Sequence, residues 1–205
     1  MNEGSGTTVY DRSGYDNHGV IFGATWQKIW RDWILYFDGT DDYVEIPHSP
    51  SLYLDGDFTV VTWATLERTP TFWCGVIDKG RNYFSDFWFL SHKGYNRFLW
   101  GIGFTDDTFL EQYFPEVALG GWNFYAFGVE GSRMFMSFNG GAKTFREFTK
   151  TRKIGTYRLT LGCWNTKTGF EKVKLGEVLI FRKALTNEQI SFLYNLFRGE
   201  LRKPP

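Results

Sequence analysis

The segment Phe58-Thr59-Val60-Val61-Thr62-Trp63-Ala64-Thr65-Leu66 constrains the fold most strongly. Its β-branched and aromatic residues favour extended backbone, and successive side chains then point to opposite faces. Phe58, Val60, Thr62, Ala64 and Leu66 form one set; Thr59, Val61, Trp63 and Thr65 form the other. Neither set is consistently polar. The pattern predicts a central strand packed on one side and facing a groove on the other.

The rest of the chain supplies partners for such a strand. Trp33 to Phe37 and Tyr43 to Ile46 flank Asp38-Gly39-Thr40-Asp41-Asp42, a hairpin with a short Gly-containing turn. Pro47 and Pro50 stop its second strand, because proline cannot donate to a ladder. Further strands are predicted at Trp73 to Asp78, Tyr83 to Ser91, Phe98 to Phe104, Trp122 to Val129 and Arg133 to Phe138. Asn139-Gly140-Gly141 turns the chain back into Ala142 to Phe148, and Leu159 to Trp164 and Val173 to Phe181 complete the set. Strands at this spacing, in a chain that is 20% aromatic with 23 glycines, indicate an antiparallel sandwich or barrel.

One segment has a helical period. Thr186-Asn187-Glu188-Gln189 reads as a capping box. Ile190, Leu193, Tyr194 and Phe197 then recur at i, i+3, i+4 and i+7, and Gly199 stands where a C-terminal cap belongs. This predicts one short amphipathic helix docked on a β domain. No linker or composition step divides the chain, so residues 1–200 form one domain and 201–205 a tail or connector.

Composition excludes several partners. The 23 basic and 23 acidic residues cancel, which argues against nucleic-acid binding. No apolar run approaches the ~18–20 residues needed to span a bilayer, so membrane insertion is not expected. The first residues lack the basic and apolar regions of a signal peptide. Cys74 and Cys163 belong to no C-x-x-C motif and are expected to be buried thiols.

Several stretches resemble laminin-G-like domains of the concanavalin A-like jelly-roll superfamily. The first is Asn2-Glu3-Gly4-Ser5-Gly6-Thr7-Thr8-Val9-Tyr10-Asp11-Arg12-Ser13-Gly14 with Asn17-His18-Gly19. The second is Tyr36-Phe37-Asp38-Gly39-Thr40-Asp41-Asp42-Tyr43-Val44-Glu45-Ile46-Pro47, followed by Phe58-Thr59-Val60-Val61-Thr62-Trp63. Trp122-Asn123-Phe124-Tyr125-Ala126-Phe127 leading to Ser137-Phe138-Asn139-Gly140-Gly141 is similar to the family's middle hairpin. Gly176-Glu177-Val178-Leu179-Ile180-Phe181-Arg182-Lys183-Ala184-Leu185-Thr186 is similar to its last strand and helix. The resemblance implies an all-β fold, a two-sheet antiparallel jelly-roll sandwich with one short C-terminal helix.

The chain departs from the family pattern at two places. Relatives have an apolar strand before the Asn-Glu-Gly-Ser-Gly stretch, and here only Met1 precedes it. The chain is therefore expected to be a fragment of a longer protein, with an unpaired N-terminal edge open to self-association. Relatives also carry an acidic calcium-binding residue near Gly176, which offers only a backbone carbonyl.

The resemblance also implies site residues. Asp38, Asp42, Asp11 and Glu3 lie in loops similar to the family's ion-binding region and are candidate ligands for a structural Ca2+. Ordinary turn chemistry explains the same acids equally well. Trp63, Trp73, Trp88 and Trp100, with Tyr83 and Arg97, fall where the concave sheet would lie. Their rings could stack on sugar faces, although most rings in so aromatic a chain must fill the core. No alternating Glu-x-Asp-x-Glu strand, metal-spaced histidines, Gly-x-Ser-x-Gly elbow or phosphate loop occurs.

The expectation is a non-catalytic recognition or adhesion module that binds glycan or a glycosylated partner. It would belong to an extracellular, cell-surface or virion protein. An assembly domain of a virion or surface layer is the alternative, and a glycan hydrolase is disfavoured.

Overall fold

The computed structural model describes residues 3–29, 32–80 and 86–201. The strands are β1 (Thr8–Val9), β2 (Gly19–Phe22), β3 (Thr25–Ile29), β4 (Asp32–Asp38), β5 (Tyr43–Ile46), β6 (Phe58–Leu66), β7 (Cys74–Lys79) and β8 (Phe87–Ser91). They continue with β9 (Phe98–Gly103), β10 (Phe109–Tyr113), β11 (Asn123–Glu130), β12 (Arg133–Phe138), β13 (Thr144–Glu147), β14 (Leu159–Leu161) and β15 (Lys172–Phe181). The helix α1 spans Asn187–Leu201. An eight-stranded sheet has the order β1-β2-β5-β14-β7-β8-β9-β10, and a seven-stranded sheet the order β13-β12-β11-β6-β15-β4-β3. The strand pairings are antiparallel throughout. This is the jelly-roll sandwich expected from the sequence.

The sheets meet over an aromatic core. Phe87 and Phe89 of β8 and Phe98, Trp100 and Ile102 of β9 face Phe58, Val60, Tyr125 and Phe127 of the other sheet. Phe127 stacks on Phe89 at 5.1 Å and on Trp100 at 5.2 Å between ring centroids. Close approach of β6 and β11 requires Gly128, where a Cβ would lie 2.0 Å from the Phe58 carbonyl oxygen.

β6 pairs with β11 on one side and β15 on the other, so it is central as expected. Its second face opens onto no groove. Val61 and Trp63 pack there with Phe124, Ala126, Phe135, Leu185 and Ile190, roofed by Leu193 and Tyr194 of α1. The Thr59 hydroxyl donates to the Lys183 carbonyl and accepts from the Leu185 N–H, fastening the lead into the helix. The capping box forms as read: Thr186 N–H reaches Gln189 Oε1 at 3.0 Å, and Gln189 N–H reaches Thr186 Oγ1 at 3.3 Å. Gly199 does not end the helix, which runs on to Leu201.

The short strands β1, β2, β3 and β10 lie outside the sequence expectation. β1 is a two-residue edge strand laid on β2. Between Leu175 and Val178 the register of β15 shifts, so Gly176 sits in a bulge. Cys74 and Cys163 are buried free thiols, as expected. Burial pushes them up to about 11 and about 12 respectively, so both stay protonated at neutral pH.

Candidate functional site

The outward face of the eight-stranded sheet carries a third apolar cluster of Trp88, Leu90, Leu99 and Trp164, with Trp73 packed against it. The Trp88 indole lies across Gly101, where a Cβ would come within 2.6 Å of the ring. Glycine in β9 thus makes room for tryptophan in β8, and the ring edge is turned toward β10. Trp88 Nε1 donates to Glu111 Oε1 at 3.3 Å, and Phe109 meets the Trp88 ring edge-on at 6.1 Å.

A tight hairpin between β8 and β9 completes this corner. His92 N–H bonds the Arg97 carbonyl at 3.0 Å, and Tyr95 N–H bonds the His92 carbonyl at 3.1 Å. Gly94, at φ +78°, makes the turn possible. The hairpin folds His92 into a ring of aromatics: Trp73 at 4.4 Å, Tyr95 at 4.6 Å and Tyr113 at 5.3 Å, all edge-on. The Arg97 guanidinium lies 4.5 Å from the Tyr95 ring and 5.0 Å from the Tyr113 ring. Tyr113 OH donates to Glu111 Oε2 at 3.0 Å.

Electrostatics follow from this packing. Burial lowers the His92 pKa and the Arg97 charge lowers it further, so the imidazole is neutral at pH 7. Burial raises the Glu111 carboxyl, against the Tyr113 and Trp88 hydrogen bonds that hold it down. His92 Nδ1 and Arg97 Nε are buried without hydrogen-bond partners among the described residues. Tyr95 and Tyr113 remain 46% and 39% exposed. The corner therefore offers two accessible rings, a cation held between them and one carboxylate at its edge.

Of the residues proposed from sequence, Trp73, Trp88 and Arg97 come together here, but the Trp88 ring is 1% exposed and packs with Leu90, Leu99 and Trp164 instead of meeting a ligand. Trp63 is 1% exposed beneath α1, its ring stacked on Tyr194. Trp100 faces the opposite sheet in the core. Neither ring can meet a ligand, because each is covered by an element far away in sequence. Tyr83 lies outside the described residues. His92, Tyr95, Glu111 and Tyr113 were missed. Their one sequence signal was the close spacing of His92, Tyr95 and Arg97 around Gly94.

The acidic candidates divide in the same way. Oxygens of Asp38, Asp41 and Asp42 lie within 4.8 Å of one another. The buried Asp42 accepts the Asp38 N–H at 2.8 Å, and Asp38 accepts the Thr40 N–H at 2.7 Å. Asp42 Oδ1 occupies the space beside Gly23, where a Cβ would lie 2.0 Å away. Asp11 instead organises its own loop, accepting the Ser13 and Asn17 N–H groups at 2.9 and 3.0 Å. Glu3 pairs with Arg12 at 3.2 Å. Asp38 and Asp42 thus share one turn with Asp41, and Asp11 and Glu3 serve another.

Comparison with known proteins agrees with the fold. Residues 38–191 match a family model described as the concanavalin A-like lectin/glucanases superfamily. No curated protein matches by sequence. The binding domain of paraclostridial mosquitocidal protein 1 is similar in structure, with a TM-score of 0.77 at 12% identity over 92% of this chain and 49% of that one. The binding domain of botulinum neurotoxin serotype D gives a TM-score of 0.75 at 14% identity over 91% of this chain and 48% of that one. A serotype D ligand-binding domain in complex with N-acetylneuraminic acid gives a TM-score of 0.76 at 13% identity, over 91% of this chain and 47% of that one. The chain thus spans about half the length of these structures, and the likeness is one of fold.

Proposed function

The chain belongs to the concanavalin A-like lectin/glucanase superfamily, and from that premise we propose that it is a non-catalytic recognition module for a glycan or a glycosylated partner. The observation that carries this reading is the Arg97 guanidinium held between the accessible rings of Tyr95 and Tyr113. Sugar rings present flat C–H faces and a rim of hydroxyls. Aromatic side chains meet the faces, and a guanidinium beside a carboxylate meets the hydroxyls. The polar groups are held by a tight hairpin and by β10, so little ordering is needed on binding. That the similar solved structures are binding domains, one of them with a bound sugar acid, supports the same class of function.

The proposed setting is extracellular, within a larger surface, secreted or viral protein, because glycosylated partners are displayed there. Among the described residues, no helix is long and apolar enough to cross a membrane. The Asp38–Asp41–Asp42 turn is the proposed position of a structural Ca2+, since three hard carboxylate ligands converge there.

A glycan array read alongside tryptophan fluorescence tests the recognition reading. One glycan class should bind, shift the emission, and lose both effects in Arg97→Ala and Tyr113→Ala proteins of unchanged fold. A blank array, or binding that ignores both substitutions, overturns it. Concentration-independent assembly with a blank array would turn the reading to a scaffold.

A further inference from the structure

A groove of ≈ 510 Å³ lies on the same protein, away from the Tyr95–Tyr113 corner, lined by Tyr157, Arg158, Asn165, Thr166 and Lys167. Its charge is unbalanced. Arg158 Nη1 and Lys167 Nζ both reach the same oxygen, Glu45 Oε2, at 2.8 and 2.9 Å. Two cations on one carboxylate leave a surplus positive charge facing solvent. Beside them Phe22 and Tyr43 stack at 4.5 Å, 12° from parallel, with Phe22 42% exposed. Lys167 Nζ lies over both rings, 5.8 Å from Phe22 and 5.2 Å from Tyr43.

The backbone is arranged to put that lysine there. Lys167 has φ +58°, a left-handed conformation that costs a β-carbon residue energy and that Gly or Asn would take more easily. A two-way clasp fixes the turn: Lys167 N–H bonds the Trp164 carbonyl at 2.7 Å, and Trp164 N–H bonds the Thr168 carbonyl at 2.9 Å. Asn165 anchors it from below, its N–H donating to the buried Asp78 at 2.6 Å and its side-chain amide to the Arg158 carbonyl at 2.5 Å. Strain retained at an exposed cation is the pattern of a binding position rather than of a turn selected for stability.

We propose that this groove binds the carboxylate or sulfate group of an acidic saccharide, with the sugar face against Phe22. Arg158 and Lys167 are the anion ligands, and Glu45 holds them side by side through one shared oxygen. The Asn165 side chain and the Thr166 hydroxyl supply polar contacts along the groove. This site stands independently of the aromatic corner, since it shares none of that corner's contact residues.

The test measures binding of a heparin-derived hexasaccharide, a galacturonate hexasaccharide and neutral cellohexaose at low and high salt. At least one acidic probe should bind, weaken with salt and exceed the neutral one. Lys167→Asn suits the left-handed backbone while deleting the charge. It should leave the melting temperature at or above wild type and weaken acidic binding about tenfold. Arg158→Ala should do the same to binding. Equal binding of acidic and neutral probes, or acidic binding that survives Lys167→Asn and Arg158→Ala, overturns the proposal. Neutral glycan bound at the corner with no acidic binding would end this inference and leave the recognition function intact.

Discussion

The Lys79 ammonium lies 2.6 Å from Asp86 Oδ2, and both side chains are 0% exposed. Lys79 also donates to the Gly155 carbonyl at 3.0 Å. The Arg152 charge also acts on Asp86, and its guanidinium is bonded to the carbonyls of Leu54, Asp55 and Gly56. Removing one partner of such a pair strands the other charge in the interior, at a cost of about 3–5 kcal/mol. Lys79→Met should therefore lower the urea midpoint sharply. Adding Asp86→Asn, which tolerates the φ of +55° found there, should recover most of the loss. Coincident wild-type and Lys79→Met curves would show that the pair contributes nothing.

Asp78, next in the same strand, has no cation beside it among the described residues. Burial raises its carboxyl from 3.8 to about 8, against one hydrogen bond from the Asn165 N–H and with the Asp86 charge adding to the rise. The folded protein therefore keeps this proton between about pH 4 and pH 8, while the unfolded chain has lost it. Stability should fall across that window, by an amount on the order of 4 kcal/mol by pH 7, and level off above pH 8. Asp78→Asn retains an acceptor for Asn165 without the ionisation. Its unfolding free energy should be higher at pH 8 and flatter between pH 5 and 8 than wild type. Parallel pH profiles for the two proteins would refute the assignment.

Tyr194 seals Trp63, the two rings lying 5.7 Å apart and 15° from parallel. Tyr194→Ala should open the apolar seat of α1, costing about 2–4 kcal/mol. It should also shift the Trp63 emission to the red without any ligand. A glycan that changes fluorescence should do so through Trp73 instead, so Trp73→Phe should abolish the ligand response and Trp63→Phe should not. The reverse result would place the ligand under the helix.

These contrasts mark what the sequence could disclose. β6 was legible as a central strand because nine successive residues are rich in β-branched and aromatic side chains, though not the cover on its second face, and the hairpin before β13 because Asn139-Gly140-Gly141 permits little else. The capping box was legible because its partners are three residues apart. β2 was not, since Gly-Val-Ile-Phe is too short to show a period, and β3 and β10 were not, since five residues with scattered polar side chains give no clear one. The cover over a strand face is a non-local fact. Trp63 and Trp88 look alike along the chain and both end 1% exposed, one beneath α1 and the other packed with Leu90, Leu99 and Trp164. The corner hides for the same reason: His92 and Tyr95 come from a hairpin, Glu111 and Tyr113 from an edge strand, and only the register of β8, β9 and β10 joins them.

The acidic turn yields the last prediction. Asp38, Asp41 and Asp42 bring three negative charges within 4.8 Å, and Asp42 is buried among them. Two of their oxygens already accept backbone N–H groups, so the turn is shaped before any ion arrives. A hard divalent cation would relieve the repulsion and complete its shell with water and loop carbonyls. Ca2+ at about 100 times its dissociation constant should then stabilise the fold by about 2.7 kcal/mol. The melting temperature should rise with calcium at pH 7 and return with a chelator. The rise should vanish at pH 3, where the carboxyls are protonated and lose affinity for the ion. Asp41→Ala removes an exposed ligand that makes no structural hydrogen bond among those above, so it should abolish the calcium response while leaving the chelated protein at least as stable as wild type. Superimposable melting curves with calcium and with chelator would leave the three aspartates as turn formers alone.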